Sequence, residues 1–293
     1  MVQWIVSSSE AGQRLVGFLK GKLGPHYSAR QVKNGIENNL CRVNQRLEHF
    51  ASAVLARGDK VSYEISALEN KVKVSFAFSI NDIIYEDQEL LVFNKPACFA
   101  SDGPEITQAI KNYHQKWELL HRLDRETTGL LMFTKGMDFR KQMISAFKSQ
   151  KVKKVYLALV DGIPRQTSGI IDNYLGKLKS YEGQSLWGSV ASSHEGHHAI
   201  TAWEVQQKGT LATLICCYPK TGRTHQIRVH LSEMGHPILG DKQYGKFFIC
   251  TYAANRCLLH AFELSFVHPT TMKKIVLQSP IPADFKQSMD SVL

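Results

Sequence analysis

Apolar residues run along this chain in two rhythms. Between Ala11 and Leu23 they recur at helical spacing, so that Leu15, Phe18, Leu19 and Leu23 can share one face. Gly24-Pro25 stops that helix, and Ser28 stands where it can cap a second, Ala29–Glu37. Two strand-like pieces follow, Cys41–Asn44 and Lys60–Ile65, the later one after an Arg57-Gly58-Asp59 turn. Residues 1–66 therefore read as one small α/β unit, and residues 67–80, which lack either rhythm, as a linker.

From residue 81 to 293 the rhythm changes. Short β-branched and aromatic runs (Leu90–Phe93, Leu130–Phe133, Val155–Val160, Thr213–Cys217, Ile227–Leu231) are separated by Gly, Pro and Asn. Helical spacing returns at Glu105–Tyr113, at Met137–Lys148 and at the chain end. Residues 163–200, rich in Gly and Ser, read as an irregular surface excursion. The pattern predicts an α+β fold built on a mainly antiparallel sheet.

Within this pattern four segments carry chemistry. HRLDRETTGL at 121–130 lies between the apolar runs Trp117–Leu120 and Leu130–Phe133, so it reads as strand, turn, strand. It sets the carboxylate of Asp124 on a loop at the lip of a sheet, beside Arg122 and Arg125. In KVYLALVDG at 154–162, a strand would put Lys154, Tyr156, Ala158 and Val160 on one face. In TGRTHQIRVHLSEMGHPILGDKQY at 221–244, alternation sends Ile227, Val229 and Leu231 one way and Thr224, Gln226, Arg228 and His230 the other, which reads as a strand with a basic face. RCLLHA at 256–261 reads as an apolar strand with a basic start.

Charge narrows the choice of partner. Across 293 residues the formal net charge is +10, an excess that suits a polyanionic partner, nucleic acid or an anionic membrane surface, or that serves solubility alone. The first unit concentrates it in Arg14, Lys20, Lys22, Arg30, Lys33, Arg42, Arg46, Arg57 and Lys60. A second cluster, Arg140, Lys141, Lys148, Lys151, Lys153 and Lys154, leads into the Tyr156 strand and reads as phosphate contacts beside the cleft. No apolar run approaches the length of a membrane span, the N-terminal stretch is unlike a signal peptide, and the six cysteines form no C-x-x-C pair. These features lead us to expect a cytoplasmic protein with reduced thiols and no membrane partner. His194–His198, HEGHH, matches the H-E-x-x-H zinc pattern formally, but its Gly and Ser neighbours argue against the helix that zinc chemistry needs, so no metal is expected.

The four segments, in this order and together with LLVFNKPA at 90–97, resemble the RluA-type pseudouridine synthases. The span RLVGFLKGKLGPHYSARQVKNGIENNLCRVNQRLEHFASAVLARGDKVSYEI is similar to the S4-type RNA-binding domain, with Asn44-Gln45 where Asn-Gly is usual. Cys98 also replaces a common Gly, and Thr128 a frequent Ser. The resemblance implies isomerisation of uridine to pseudouridine in structured RNA, with no cofactor. Large-subunit ribosomal RNA is the favoured substrate, transfer RNA is the other candidate, and the expected state is a monomer. It implies that Asp124 is the catalytic carboxylate, paired with Arg228, and that Tyr156 stacks on the base and assists removal of the C5 proton. Leu259 would floor the site, and Arg122 would fill the gap left by the extruded uridine. His121 and Arg223 complete the expected substrate-binding set. Arg30, Lys33 and Arg42 in the first unit, and Lys151, Lys153 and Lys154 in the second, would hold RNA. The alternative is a catalytically inactive RNA-binding or ribosome-assembly protein on the same scaffold.

Overall fold

The structure, a computed structural model, describes residues 1–37, 40–48, 50–65, 76, 78–181, 184–245 and 247–293. The chain divides into two compact units, Met1–Ser75 and Phe76–Leu293. The linker expected over 67–80 lies outside the described residues for 67–75 and 77; Ile80–Asp82 form a short 3-10 turn.

In the first unit a four-stranded antiparallel sheet, in the order β1 (Val2–Ile5), β4 (Lys60–Tyr63), β2 (Cys41–Val43), β3 (Arg46–Leu47), accompanies helices α1 (Leu15–Leu23) and α2 (Ala29–Glu37). The helical stripe is buried as its spacing requires: Leu15, Phe18, Leu19 and Leu23 of α1 pack with Val32 and Ile36 of α2 and with Cys41, Val61 and Tyr63 of the sheet. Ser28 and Gln31 cap α2 reciprocally. The Gln31 amide donates to Ser28 Oγ (3.2 Å), and the Ser28 amide donates to Gln31 Oε1 (2.7 Å). Asn44 and Gln45 both hold positive φ, 51° and 67°, which suits a two-residue hairpin turn where glycine is favoured second. The Asn44 side chain offsets the strain by donating to Asp59 (2.8 Å) and accepting from the Lys60 amide (2.9 Å).

The second unit is one 11-stranded, mostly antiparallel sheet. Its strands are β5 (Ile83–Glu86), β6 (Leu90–Lys95), β7 (Glu118–Leu119), β8 (Thr128–Thr134), β9 (Lys153–Asp161), β10 (Ser168–Tyr181), β11 (Gln184–Val190), β12 (His197–Lys208), β13 (Ala212–Pro219), β14 (Leu259–Val267) and β15 (Lys274–Gln278). The order is β11-β10-β12-β13-β9-β14-β8-β6-β5, with β15 beside β14 and β7 beside β8. All seven residues of β8 are buried because both faces of the sheet are covered there, so the strand reads as a continuous apolar run. Leu131 and Phe133 face Ile106 and Ile110 of helix α3 (Pro104–Tyr113). Leu130 and Met132 face Phe139 and Met143 of helix α4 (Met137–Lys148).

β8 and β14 pair in parallel, with Thr128 opposite His260 and Gly129 opposite Ala261. This places the loops that lead into both strands at one end of the sheet. Gly129 permits the close approach: its φ is 107°, and a Cβ there would overlap the Ala261 carbonyl oxygen.

Two expectations are corrected. Residues 163–200 are not an irregular excursion; they hold the β10–β11 hairpin and the start of β12. Their glycines mark close packing, since a Cβ on Gly196 would come 2.6 Å from the Leu175 carbonyl oxygen. Ile227–Leu231 is not a strand but part of helix α5 (Gln226–Glu233), with Gln226, Ile227, Val229, His230 and Leu231 all buried. Two buried polar residues four apart had imitated the exposed face of a strand. The HEGHH segment runs from a turn into β12 rather than forming a helix. A last helix, α6 (Ala283–Val292), ends the chain, and no described helix is long and apolar enough to cross a membrane.

Candidate active site

Strand register gathers the site. Tyr156 of β9 stands opposite Ala261 of β14 and Cys217 of β13. The loop before β8, the start of β9, the turn after β13 and the start of β14 therefore meet at one end of the sheet. Between them opens a half-enclosed cleft whose walls include Asp124, Tyr156, His225, Arg228 and Leu259.

The loop carrying Asp124 has no regular structure of its own, and buried side chains elsewhere take over its backbone groups. Ser101 Oγ donates to the Leu123 carbonyl and accepts from the Leu123 amide, both at 2.9 Å. Lys95, fully buried, donates to the carbonyls of Pro96 (2.9 Å), Phe99 (2.9 Å) and Arg125 (3.0 Å). Burial first, and then the charge of Arg256, push the Lys95 ammonium down to about 7. Arg256 donates to the Glu126 carbonyl (3.2 Å) while Asp284 of α6 grips its guanidinium at 2.6 and 3.1 Å.

The two arginines flanking Asp124 in sequence turn to other partners. Arg125 donates to the Cys98 carbonyl (2.8 Å), and the exposed Arg122 pairs with Asp102 (3.2 Å). Asp124 is met instead by Arg228 of α5, whose Nη1 lies 3.2 Å from Oδ2.

Arg228 is itself held in a fork by Asp241, with Nε to Oδ2 at 2.7 Å and Nη2 to Oδ1 at 2.9 Å. The ring of Tyr244 lies 5.0 Å from the guanidinium carbon. Burial would weaken the Arg228 charge, but the hydrogen bond and charge of Asp241 outweigh it, so the group's pKa rises. In Asp241, burial opposes ionisation, and the Arg228 fork with the Gln243 and Tyr244 amides more than reverses it. The helix that presents Arg228 is seated by polar groups. Gln226 donates to the Ile200 carbonyl (3.0 Å) and Thr201 Oγ1 (2.9 Å), and His230 bonds Thr201 (2.8 Å) and Asn173 (3.0 Å).

Leu259 and Tyr156 supply apolar surface in the cleft. Burial, and then the Asp124 charge, raise the Tyr156 phenol well above its ordinary value. Lys154 was expected on the phosphate-contact surface, yet it lines the cleft. Its Nζ donates to the Thr221 carbonyl (2.9 Å), and burial and then Arg223 push it down to about 8. Arg223 also lines the cleft and donates to the His198 carbonyl (2.9 Å).

His121 does not join them. Its Nε2 accepts from the Met132 amide (3.2 Å), so it ties the loop to β8, and burial pushes it down to about 4. Lys151 and Lys153 are exposed at the entry to β9. Arg140 of the same basic cluster is occupied by Glu118 (2.7 Å). In the first unit Arg30 is exposed and Lys33 and Arg42 are half-buried.

Sequence reasoning left Asp241, Tyr244 and His225 without roles. A signal was available for Asp241. A buried guanidinium has five donors to satisfy, and Asp241 lies in the same 221–244 segment as Arg228.

The chain matches the RNA pseudouridylate synthase family over residues 89–233, a span that includes Asp124, Tyr156 and Arg228. It is 32% identical over 307 residues to the ribosomal large subunit pseudouridine synthase C of Vibrio vulnificus, covering 98% of this chain and 95% of that one. It is 36% identical over 227 residues to the protein of the same name from Buchnera aphidicola of Schizaphis graminum, covering 73% and 71%. Among solved structures it resembles human RNA pseudouridylate synthase domain containing 4, with a TM-score of 0.61 and 25% identity over 72% of this chain and 92% of that one. The chain belongs to the RluA family of RNA pseudouridine synthases. Its enzyme class is therefore an isomerase that forms pseudouridine in RNA.

Proposed function

We propose that this enzyme modifies large-subunit ribosomal RNA, with Asp124 as the catalytic carboxylate. Support for the substrate comes from the relatives, whose names specify the ribosomal large subunit. The observation that carries the site is the Asp124–Arg228 pair in the wall of a cleft also lined by Tyr156 and Leu259.

In the reaction the C1′–N1 bond of uridine breaks and a C1′–C5 bond forms. C5 gives up a proton and N1 ends with one, so the isomerisation balances without an oxidant or co-reactant. A uridine must leave its stack to reach the cleft, which costs a few kcal/mol and least in loops. Arg122, an exposed residue of the cleft wall paired with Asp102, fills the gap left behind in this reading. Asp124 acts on the extruded nucleotide, and Arg228 holds the carboxylate in place from Oδ2. Tyr156 stacks on the base. Its raised pKa favours a neutral phenol, so it serves as a surface and hydroxyl rather than as a standing base. Leu259 forms the apolar floor.

The first unit acts as an S4-like head that grips RNA through Arg30, Lys33 and Arg42, while Lys151 and Lys153 hold phosphates beside the cleft. Alignment with the Vibrio relative across nearly the whole of both chains supports carrying the head along with the catalytic unit.

Asp124→Asn should abolish pseudouridine formation in uridine-labelled RNA while leaving RNA affinity within roughly tenfold. Full activity in that variant would remove Asp124 from the mechanism. Mapping pseudouridines in total RNA with and without the enzyme identifies the substrate; a change confined to transfer RNA would overturn the ribosomal assignment.

A further inference from the structure

We propose that His225 is a positioning residue for Asp124, held by Tyr244 in the single tautomer that turns an N–H toward the carboxylate. The inference rests on the reading of Asp124 as the catalytic carboxylate. His225 stands just before α5 with a left-handed backbone, φ 56°, an uncommon conformation for a residue with a side chain. That conformation sets its ring in the cleft wall beside Asp124. Nε2 faces Asp124 Oδ1 at 3.9 Å, and Nδ1 lies 2.8 Å from the Tyr244 hydroxyl.

The direction of that second bond follows from the far side of the hydroxyl. The Trp187 amide, in β11, reaches the Tyr244 oxygen at 3.2 Å. A backbone amide only donates, so the oxygen accepts there, and the arrangement that uses its own proton gives that proton to Nδ1 of His225. The imidazole proton then sits on Nε2, the nitrogen facing Asp124.

Burial and then the Arg228 charge lower the ring's pKa against the opposing pull of Asp124 and Asp241, which favours the neutral imidazole. Asp124 is thus flanked by a guanidinium at Oδ2 and an imidazole N–H at Oδ1. The gap of 3.9 Å is longer than a hydrogen bond, and contacts of this kind tighten when substrate fills a site. His225 limits rotation of the carboxylate and so selects the oxygen that meets the nucleotide.

Tyr244→Phe isolates the effect. It removes one oxygen and keeps the aromatic ring that rests on Arg228 and meets the edge of His225, with centroids 5.5 Å apart. With an RNA substrate, Tyr244→Phe should lower kcat by about tenfold to a hundredfold and leave KM within about twofold. His225→Gln keeps a side-chain N–H and should retain at least about tenfold more turnover than His225→Ala. The wild-type enzyme supplies a test that needs no altered fold. A nitrogen–proton correlation spectrum, with His225 assigned by the loss of its signals in His225→Gln, should show the Nε2–H tautomer. An Nδ1–H tautomer, or kcat within about twofold of wild type in Tyr244→Phe, overturns the proposal. Asp124→Asn assayed alongside separates the two ideas: activity there sinks the role of Asp124, whatever the tautomer of His225.

Discussion

The loop that carries Asp124 and the helix that carries Arg228 hold two halves of one ion pair by opposite means. The loop closes one turn of its own, the Thr127 amide donating to the Asp124 carbonyl, and Ser101, Lys95 and Arg256 reach in from elsewhere to bond its other carbonyls. The helix satisfies its backbone internally, and its side chains Gln226, Arg228 and His230 are the groups that neighbours seize. In the first case precision resides in residues distant in sequence from Asp124. In the second it resides in the same short segment.

Substitutions can set the two arrangements against each other. The largest effect is expected from Asp241→Ala, which leaves Arg228 buried without its fork. Removing one partner of a buried pair costs about 3–5 kcal/mol. Urea unfolding should show that loss, and turnover should fall with it.

Acid loads both sides at once. His121 ties down the loop, His230 seats the helix, and His260 lies under the parallel strand pair, bonded to Thr128 at 2.9 Å. Burial pushes each to about 4, below the ordinary value of 6.5. Between those two values the unfolded chain binds more protons than the folded one. The contribution of these rings to stability therefore falls as the pH drops from about 6.5 to about 4 and is fully lost below, by at most on the order of 3 kcal/mol for a single ring buried throughout. A series of thermal melts across that range checks the direction; a midpoint independent of pH would contradict it.

Lys95→Met tests the loop alone. Three carbonyls lose one shared donor, and about 2 kcal/mol of stability should go with it. Because the loop is held from outside, turnover should drop while RNA affinity stays within roughly threefold. Gln226→Leu tests the helix alone and should cost about 1 kcal/mol, since the apolar replacement leaves Thr201 and the Ile200 carbonyl with fewer partners. Smallest of all, neutralising Lys151 and Lys153 together should leave stability unchanged and flatten the salt dependence of RNA binding by about one unit of slope per phosphate contact.

The same contrast explains what could be read from sequence. The Asp124 loop was legible because a polar turn sits between two apolar runs, and β6, β8, β9 and β13 were legible because buried strands read as continuous apolar stretches. The helix was misread because its buried face carries Gln226 and His230, whose partners Thr201 and Asn173 come from the hairpin and β12. The hairpin was missed for a related reason. Its glycines look like loop residues until the facing strand shows that no side chain would fit. Asp241 escaped because its part is to clamp a residue 13 positions away, a relation that strand or helix periodicity does not encode.

Gly129 lies five positions beyond Asp124 and outside the cleft walls, yet it sets a dimension of the site. Wherever β8 and β14 run flush, Asp124 on the approach to one and Leu259 at the head of the other stay a fixed distance apart. Any larger residue would act as a wedge in that seam and widen the slot from its closed end. Nucleotide selectivity would then loosen before the ion pair at the cleft wall was disturbed.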